Sequence, residues 1–440
     1  MVLNYIWIAF FVIAFIVAIC RIIGYSFRNF FAEQFGLIFD KADQKVFYEM
    51  LQSTFDISTV AFEISIGLTG ILCLWMGIMK IGENGGAVNL LAKGVNPFFN
   101  KLFPELPENH PARGSMVLNF AANMLGLDNA ATPAGLKAMN EMQEVNKDID
   151  VASNSQIMFL VLNTSGLTLI PVTVMAYRAQ YEASNPADVF LPILISTYIA
   201  TIAGLLIVSF YQKINLFNKT VLAYLLGSAA IIYGIFSYFN WVGTNVAKYG
   251  TIEAAKQEMT DQSQLFSAFI LMSIIVSFIL LALKKKVNVY DSFIEGAKGG
   301  FEIAVKIIPY LVAILVSIAV FKSSGAMVYL KDGLAAFFGY FVSDTRFVDA
   351  LPTGFMKPLS GSGARGMMFE VFEDPKLGVD SFAGKLSSVM QGATDTTFYI
   401  IAVYFGSVGI KKTRYAIKAG LFADLIGIIA AIIVSYSFFG

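Results

Sequence analysis

The feature that most constrains this chain is a series of apolar runs, each about 20 residues long, which is the length that crosses the hydrocarbon core of a bilayer as a helix. Of its 440 residues, 57% are hydrophobic and 14% are charged. Soluble proteins are typically about a quarter charged. We therefore predict an all-α polytopic membrane protein. The uninterrupted apolar runs are 3–23, 57–79, 153–177, 189–211, 219–241, 264–283, 303–321, 385–406 and 415–438.

Basic residues flank these runs in four clusters, and such clusters mark the cytoplasmic side of a membrane. Two full spans separate each cluster from the next, so all four are predicted to lie on one face. We expect a multi-pass protein of the bacterial cytoplasmic (inner) membrane with its N-terminus in the cytoplasm and its C-terminus outside. Arg178 is interpreted as a further topology signal. The clusters are Lys80/Lys93/Lys101, Lys213/Lys219, Lys284–Lys286 and Lys411/Lys412/Arg414.

Two other apolar regions, 113–142 and 347–372, are interrupted near their centres by Gly, Pro, Asn or Ser. Each is long enough for two half-helices but unsuited to a single span, so both are predicted to be re-entrant hairpins. Amphipathic stretches at 87–103 and 326–341 precede them and are typical of interfacial helices.

The chain contains an internal repeat. "AFEISIGLTGILCLWMGIMKIGENGGAVNLL" (61–91) aligns without a gap with "GFEIAVKIIPYLVAILVSIAVFKSSGAMVYL" (300–330). In each copy an amphipathic stretch, an interrupted hairpin and a span with a polar centre follow. The parity of the spans predicts that the copies cross the bilayer in opposite directions, as in the inverted repeats of secondary transporters. We predict an N-terminal membrane helix (1–33), a first repeat (34–178), connecting membrane helices (179–288) and a second, inverted repeat (289–440).

The hairpin tips and the polar centres of the spans at 163–171 and 392–400 are the predicted binding site. The polar centres predict one broken transmembrane helix in each repeat. Irregular backbone at membrane depth is tolerated only in protein or around a wet cavity, and free helix ends there can bind ions of either sign. The candidate substrate- or ion-binding residues are Asn119, Asn123, Asp128, Asn129, Thr132, Asn163, Thr164, Ser165, Ser360, Ser362, Arg365, Gln391, Thr394, Asp395 and Thr396.

Asp128 and Asp395 carry the strongest expectation, because an unpaired charge near the bilayer centre is costly. A monovalent cation near these two residues, with Na⁺ or H⁺ coupling and no other cofactor, is the predicted role. Capping of the following helix is the alternative for Asp128. The asparagines and threonines could instead hydrogen-bond between helices. Arg365 could meet an anionic group of the substrate or neutralise an aspartate.

Two sets of motifs resemble known families. "HPARGSMVLNFAANMLGLDNAATPAGLKAM" and "NTSGLTLIPVTVMAYR" are similar to bacterial spore maturation protein A, whereas "PLSGSGARG" and "GATDTTFYIIAVYFGSVGIKKTRYAIKAG" are similar to spore maturation protein B. The resemblance spans nearly the whole chain, as in a fusion of the two. It implies membership of the nucleoside-recognition (Gate) family and an architecture like that of concentrative nucleoside transporters. The Gln-Thr-Glu hairpin motif of those transporters is absent from this sequence, so their substrate is not carried over.

These observations predict a secondary, ion-coupled transporter that moves a small polar solute by alternating access and catalyses no reaction. A nucleoside, an amino acid or a peptide-like molecule would fit as the solute, and self-association is left open. With a net charge of zero, nothing indicates a nucleic-acid partner. One alternative is a membrane gate or scaffold subunit that acts with a partner protein. The other is an intramembrane aspartyl hydrolase, which would also need two aspartates.

Overall fold

The computed structural model of the protein describes residues 2–107, 109–126 and 128–440, and the side chains of residues 2, 3, 128–130 and 306 lie outside its description. The regular elements in these ranges are helices, as predicted. Up to the end of the first predicted repeat they are α1 (Val2–Ser26), α2 (Arg28–Phe35), α3 (Lys41–Gly85), α4 (Ala87–Leu102), α5 (Pro111–Met124), α6 (Asp128–Glu144), α7 (Asn154–Ser165) and α8 (Val172–Gln180).

The remaining helices lie in the connecting region and in the second predicted repeat. The amphipathic stretches predicted at 87–103 and 326–341 form α4 and α14 (Ala326–Gly339), and each is followed by a hairpin and then by a pair of short helices. The connecting region holds α9 (Phe190–Gln212), α10 (Lys219–Thr244), α11 (Val246–Tyr249) and α12 (Ile252–Lys284). The second predicted repeat holds α13 (Val289–Ser323), α14, a 3₁₀ helix (Arg346–Ala350), α15 (Leu351–Met356), α16 (Gly361–Glu373), α17 (Phe382–Ala393), α18 (Thr397–Ser407) and α19 (Ala416–Phe439).

Among the described residues, seven helices are long and apolar enough to cross a membrane: α1, α3, α9, α10, α12, α13 and α19. They contain seven of the predicted apolar runs, and this confirms a polytopic membrane protein. The other two runs, 153–177 and 385–406, are not continuous helices. Each is divided between two shorter ones, α7 with α8 and α17 with α18, at the polar centres that the sequence contains.

The helices α3 and α13 pack against each other in opposite directions. Gly300 faces Leu72 and Gly296 faces Met76, so residue numbers rise along α3 where they fall along α13. A Cβ atom on Gly300 would lie 2.7 Å from the Leu72 carbonyl oxygen. Only glycine allows this approach. The two glycines have the Gly-x-x-x-Gly spacing at which membrane helices pack closely.

The basic clusters come together at one end of the bundle, which we call the basic end. Side-chain contacts connect the chain segments next to all four clusters. Their assignment to the cytoplasmic face stays a prediction. The contacts are Lys285 Nζ against Gly86, the Tyr224 hydroxyl to the Gly94 carbonyl oxygen, the Gln212 side chain to the Asn154 carbonyl oxygen and the Tyr415 hydroxyl to Asn154 Oδ1.

The two hairpins enter the bundle from different ends. The first, α5 with α6, begins and ends at the basic end, where Gln156 of α7 donates to Gln143 of α6 at 2.7 Å. The second, which runs from the 3₁₀ helix through α16, ends at Glu373. There Tyr181, which follows α8 at the opposite end, donates to the Glu373 carboxylate at 2.7 Å. The tips of the hairpins therefore point toward each other in the interior.

Candidate functional site

The first helix break lies beside the tip of the first hairpin. Gly166 adopts a left-handed φ of 57° and ends α7, and the chain stays non-helical until α8 begins after Pro171. The amide of Leu169 in this break donates to the carbonyl oxygen of Met124 at the hairpin tip, at 2.7 Å. Backbone groups that the break frees are thus satisfied by the end of a half-helix.

The second helix break is held in the same way by the second hairpin. Thr394 is fully extended between α17 and α18. The amide of Phe398 donates to the carbonyl oxygen of Pro358 at the hairpin tip, at 3.1 Å. The side-chain amide of Gln391 approaches the carbonyl oxygen of Gly361 at 3.4 Å.

The two breaks face each other, because the amide of Asp395 donates to the carbonyl oxygen of Thr164 at 2.8 Å. The broken helices run in opposite directions past this contact. Arg178 at the end of α8 donates to the loop just before α17, at 2.9 Å. The amide of Lys412, after α18, donates to Asp150 just before α7, also at 2.9 Å.

A cavity of about 340 Å³ lies where the breaks meet. That volume falls in the range of small-molecule sites. Both breaks, the first hairpin and α18 contribute to its wall. Six of the residues predicted from the sequence line it: Asn123, Thr132, Asn163, Gln391, Thr394 and Asp395.

Asparagine side chains form a hydrogen-bonded network on one wall of the cavity. Asn123 of the first hairpin donates to Asn163 Oδ1 of α7 at 2.7 Å. Asn119, one turn earlier on α5, donates to the Tyr404 hydroxyl of α18 at 3.1 Å and to the Ala131 carbonyl oxygen at 2.8 Å. The interhelical hydrogen bonding considered for these asparagines is therefore present, and it leaves Asn123 and Asn163 facing the cavity.

Other predicted residues lie around the breaks without lining the cavity. Thr164 and Ser165 are buried, and their hydroxyls bond carbonyl oxygens of their own helix. Thr396 is buried, and its amide donates to the Asp395 carboxylate at 2.7 Å. Ser360 caps α16 by accepting from the Gly363 amide, and its hydroxyl meets that of Ser362 at 3.1 Å.

Arg365 stands apart from the cavity. Its Nη1 donates to the Tyr177 hydroxyl of α8 at 2.5 Å, and its guanidinium lies over the ring of the same tyrosine. The side chains of Asp128 and Asn129 lie outside the described residues. The role predicted for each of these three side chains stays a prediction.

A buried ion cluster connects the end of α8 with the chain segment before α17, at the end opposite to the basic end. Arg178 is 0% exposed and its Nη2 pairs with Asp188 at 3.0 Å and with Asp380 at 3.2 Å. Lys385 pairs with the second oxygen of Asp188 at 3.1 Å. Burial disfavours the ionised Asp380, but hydrogen bonds from Ser184 and the charges of Arg178 and Lys385 outweigh it and hold its pKa below the usual value. The sequence reading of Arg178 as a topology signal alone is wrong.

Three further polar residues near the breaks were missed in the sequence analysis. Lys357 and Tyr404 line the cavity, and Asp424 of α19 is 1% exposed beside the second break. The signals for Lys357 and Asp424 were a lysine in the interrupted region 347–372 and a lone acid in the apolar run 415–438. Tyr404 carries no such signal, because tyrosine is common near the ends of membrane spans.

Sequence comparison identifies the family of this chain. Spore maturation protein B of Bacillus subtilis (strain 168) is 48% identical over 167 residues, which cover 38% of this chain and 91% of that protein. Spore maturation protein A of the same organism is 40% identical over 172 residues, which cover 39% of this chain and 87% of that protein. The chain belongs to the spore maturation protein A and B family. Its match to most of each relative is what a fusion of the two produces.

A sequence profile of the family described as "Gate: Nucleoside recognition" matches residues 65–180 of this spore maturation family member. The match runs from within α3 to the end of α8, so it contains the first hairpin and the first break. No solved structure matches the chain.

Proposed function

We propose that this protein is a secondary transporter that carries a small polar solute across the membrane by alternating access. The observation that carries the proposal is the cavity at the meeting point of two helix breaks. The described part of its wall combines side-chain amides and hydroxyls with the carboxylate of Asp395 and the ammonium group of Lys357. A mostly apolar chain has no structural need for such a lining, whereas a polar solute that crosses a bilayer does.

The architecture that we propose is a pair of inverted repeats, each with a re-entrant hairpin and a broken helix. Three observations support it: the opposite directions of the broken helices, the opposite entry of the two hairpins, and the antiparallel packing of α3 on α13. Transporters with inverted repeats bind their substrate near the midplane between discontinuous helices. In alternating access one repeat rocks against the other and exposes the cavity to each side in turn.

The chemistry of the wall favours a solute that exchanges several hydrogen bonds. Asn123, Asn163 and Gln391 each offer donors and acceptors, and Asp395 and Lys357 add one charge of each sign. A nucleoside, an amino acid or a dipeptide satisfies such a wall, and the "Nucleoside recognition" description of the matched family makes nucleosides the first class to test. The chain contains no Gly-rich Lys-Ser/Thr nucleotide-binding motif, so we infer that an ion gradient drives the transport.

The test begins with the purified full chain in detergent. Nucleosides, amino acids and dipeptides are screened for an increase in melting temperature, because a ligand of the folded state stabilises it by mass action. The compound that stabilises most is then used, radiolabelled, for uptake into proteoliposomes under an imposed sodium or proton gradient. We expect gradient-dependent uptake that exceeds the uptake of empty liposomes.

Asn163→Leu is the site variant, and Asn140→Leu is its matched control. Asn163 faces the cavity, whereas Asn140 is exposed on α6 and bonds only the Leu136 carbonyl oxygen of its own helix. We expect loss of uptake in the first variant and normal uptake in the second. Equal uptake by both would refute this site. Absence of uptake for every compound that stabilises the protein would refute transport and favour the alternative of a gate that acts with a partner.

A further inference from the structure

Asp424 is a carboxylate in the interior of a membrane-spanning helix. It follows the first residue of α19 by eight positions, which places it about 12 Å along the helix. The side chain of aspartate is too short to reach the interface from that depth, and only 1% of the residue is exposed. An ionisable residue so placed is expensive to retain without a function.

The surroundings of Asp424 leave one of its oxygens without a partner. The Thr397 hydroxyl of α18 donates to Oδ2 at 2.6 Å. Oδ1 is buried and has no hydrogen-bond partner among the described residues. The Thr394 hydroxyl lies near the same carboxylate, and the neighbouring charged groups are Lys357 and Asp395.

The hydroxyl groups beside Asp424 belong to Thr394 in the second break and to Thr397 at the start of α18. The described residues contain no group of three or more His, Cys, Asp or Glu side chains that could hold a metal ion. Divalent cations such as Ca²⁺ take six to eight oxygen ligands, commonly several carboxylates. One buried carboxylate with hydroxyl neighbours instead suits a cation of single charge.

We propose that Asp424 is the binding site of the coupling cation, either a sodium ion or a proton, held between Asp424, Thr394 and Thr397. Coupling to solute rests on the proposed transport function, whereas cation binding does not. The link between the two sites is short. Thr394 and Asp395 are adjacent in the break, and both line the solute cavity. A cation on Asp424 therefore fixes the segment that also holds Asp395 against the Thr164 carbonyl oxygen.

Cation binding is measured on the purified full chain without any solute. A cation that binds the folded state raises the melting temperature as its concentration increases. The melting temperature is recorded in NaCl and in KCl of equal ionic strength, each over a range of pH. We expect the wild type to respond either to sodium over potassium or to proton concentration in both salts, and these two outcomes distinguish the ion.

Asp424→Asn keeps the shape of the side chain and removes the charge, and it should abolish that response. Asp261→Asn is the matched control, because Asp261 is an exposed acid on α12 that accepts only from Gln257. It should respond as the wild type does. No response in the wild type, or an unchanged response in Asp424→Asn, would overturn the proposal.

A second pair of variants keeps the proposal testable if Asp424→Asn does not fold. Thr397→Val removes the hydroxyl that donates to Asp424, whereas Thr397→Ser retains it. The Thr397 hydroxyl stabilises the ionised carboxylate and also offers an oxygen ligand, so its loss should weaken a sodium response roughly tenfold or, if the cation is a proton, strengthen the apparent proton affinity roughly tenfold. Thr397→Ser should behave as the wild type. Equal responses of the two variants would contradict the site even if uptake assays show transport, and a response that shifts in Thr397→Val alone would support it even if no transport is found.

Discussion

Replacement of Arg178 by glutamine is the perturbation for which the structure gives the clearest magnitude. Arg178 is fully buried, and its guanidinium pairs with Asp188 and Asp380 at 3.0 and 3.2 Å. Removal of one partner from a buried pair typically costs about 3–5 kcal/mol, because the other charge stays buried and uncompensated. Two features reduce the cost here. Lys385 still pairs with Asp188 at 3.1 Å, and the side chain of Asp380 is 36% exposed, so water can hydrate it.

We therefore expect Arg178→Gln to lower the free energy of unfolding by about 3 kcal/mol, the lower end of that range. The measurement is an unfolding titration with SDS in mixed micelles, monitored by tryptophan fluorescence. Arg346→Gln is the matched control. Arg346 pairs with Asp344 at 2.7 Å, but the two side chains are 55% and 41% exposed, and exposed pairs contribute about 0–1 kcal/mol.

The difference between the two losses of unfolding free energy tests whether the buried cluster stabilises the protein. If Arg178→Gln costs no more than Arg346→Gln, then the buried cluster does not stabilise the contact between α8 and the segment before α17. In that case the interpretation of Arg178 as a structural bridge would have to be withdrawn.

Three further outcomes are expected. Asp395→Asn should abolish gradient-driven uptake of the solute while the protein stays monodisperse in size-exclusion chromatography; normal uptake would remove Asp395 from the site. Gly300→Ala should lower the melting temperature, because overpacking typically costs about 1–3 kcal/mol. Gly234→Ala, in α10 where a Cβ meets no atom within 4 Å, should instead raise the melting temperature slightly through helix propensity. The pKa of Asp380 is lowered in the folded protein, so its stabilisation is present above the unfolded pKa and is lost as pH falls through the folded pKa. Asp380→Asn should therefore be less stable than the wild type at neutral pH and should approach it in acid; a constant difference would contradict this.

Much of the architecture followed from local sequence properties. Apolar runs of about 20 residues predict membrane helices because each span must satisfy its own backbone hydrogen bonds in lipid. The polar centre at 163–171 predicted the first break, and the structure places it between Gly166, which adopts a left-handed turn, and Pro171, which lacks an amide donor. The hairpin regions were visible from their interrupted hydropathy.

The candidate site was predictable only in part. Asn123, Asn163 and Asp395 stand out in the sequence because amides and acids are rare within apolar spans, and all three line the cavity. Ser360 and Arg365 stand out for the same reason, yet one caps α16 and the other contacts Tyr177. Composition reveals that a side chain needs a polar partner, but it does not reveal which partner satisfies that need.

The sequence by itself determined that this is a polytopic membrane protein whose apolar runs have polar interruptions, because those properties depend on the order of residues along one segment. The tertiary structure decided which groups meet. The contact of Asp395 with Thr164, the pairing of Arg178 with Asp380 and the position of Asp424 beside Thr397 each join residues far apart in the chain. Such contacts depend on how the helices pack, and packing is a property of the whole fold rather than of any one helix.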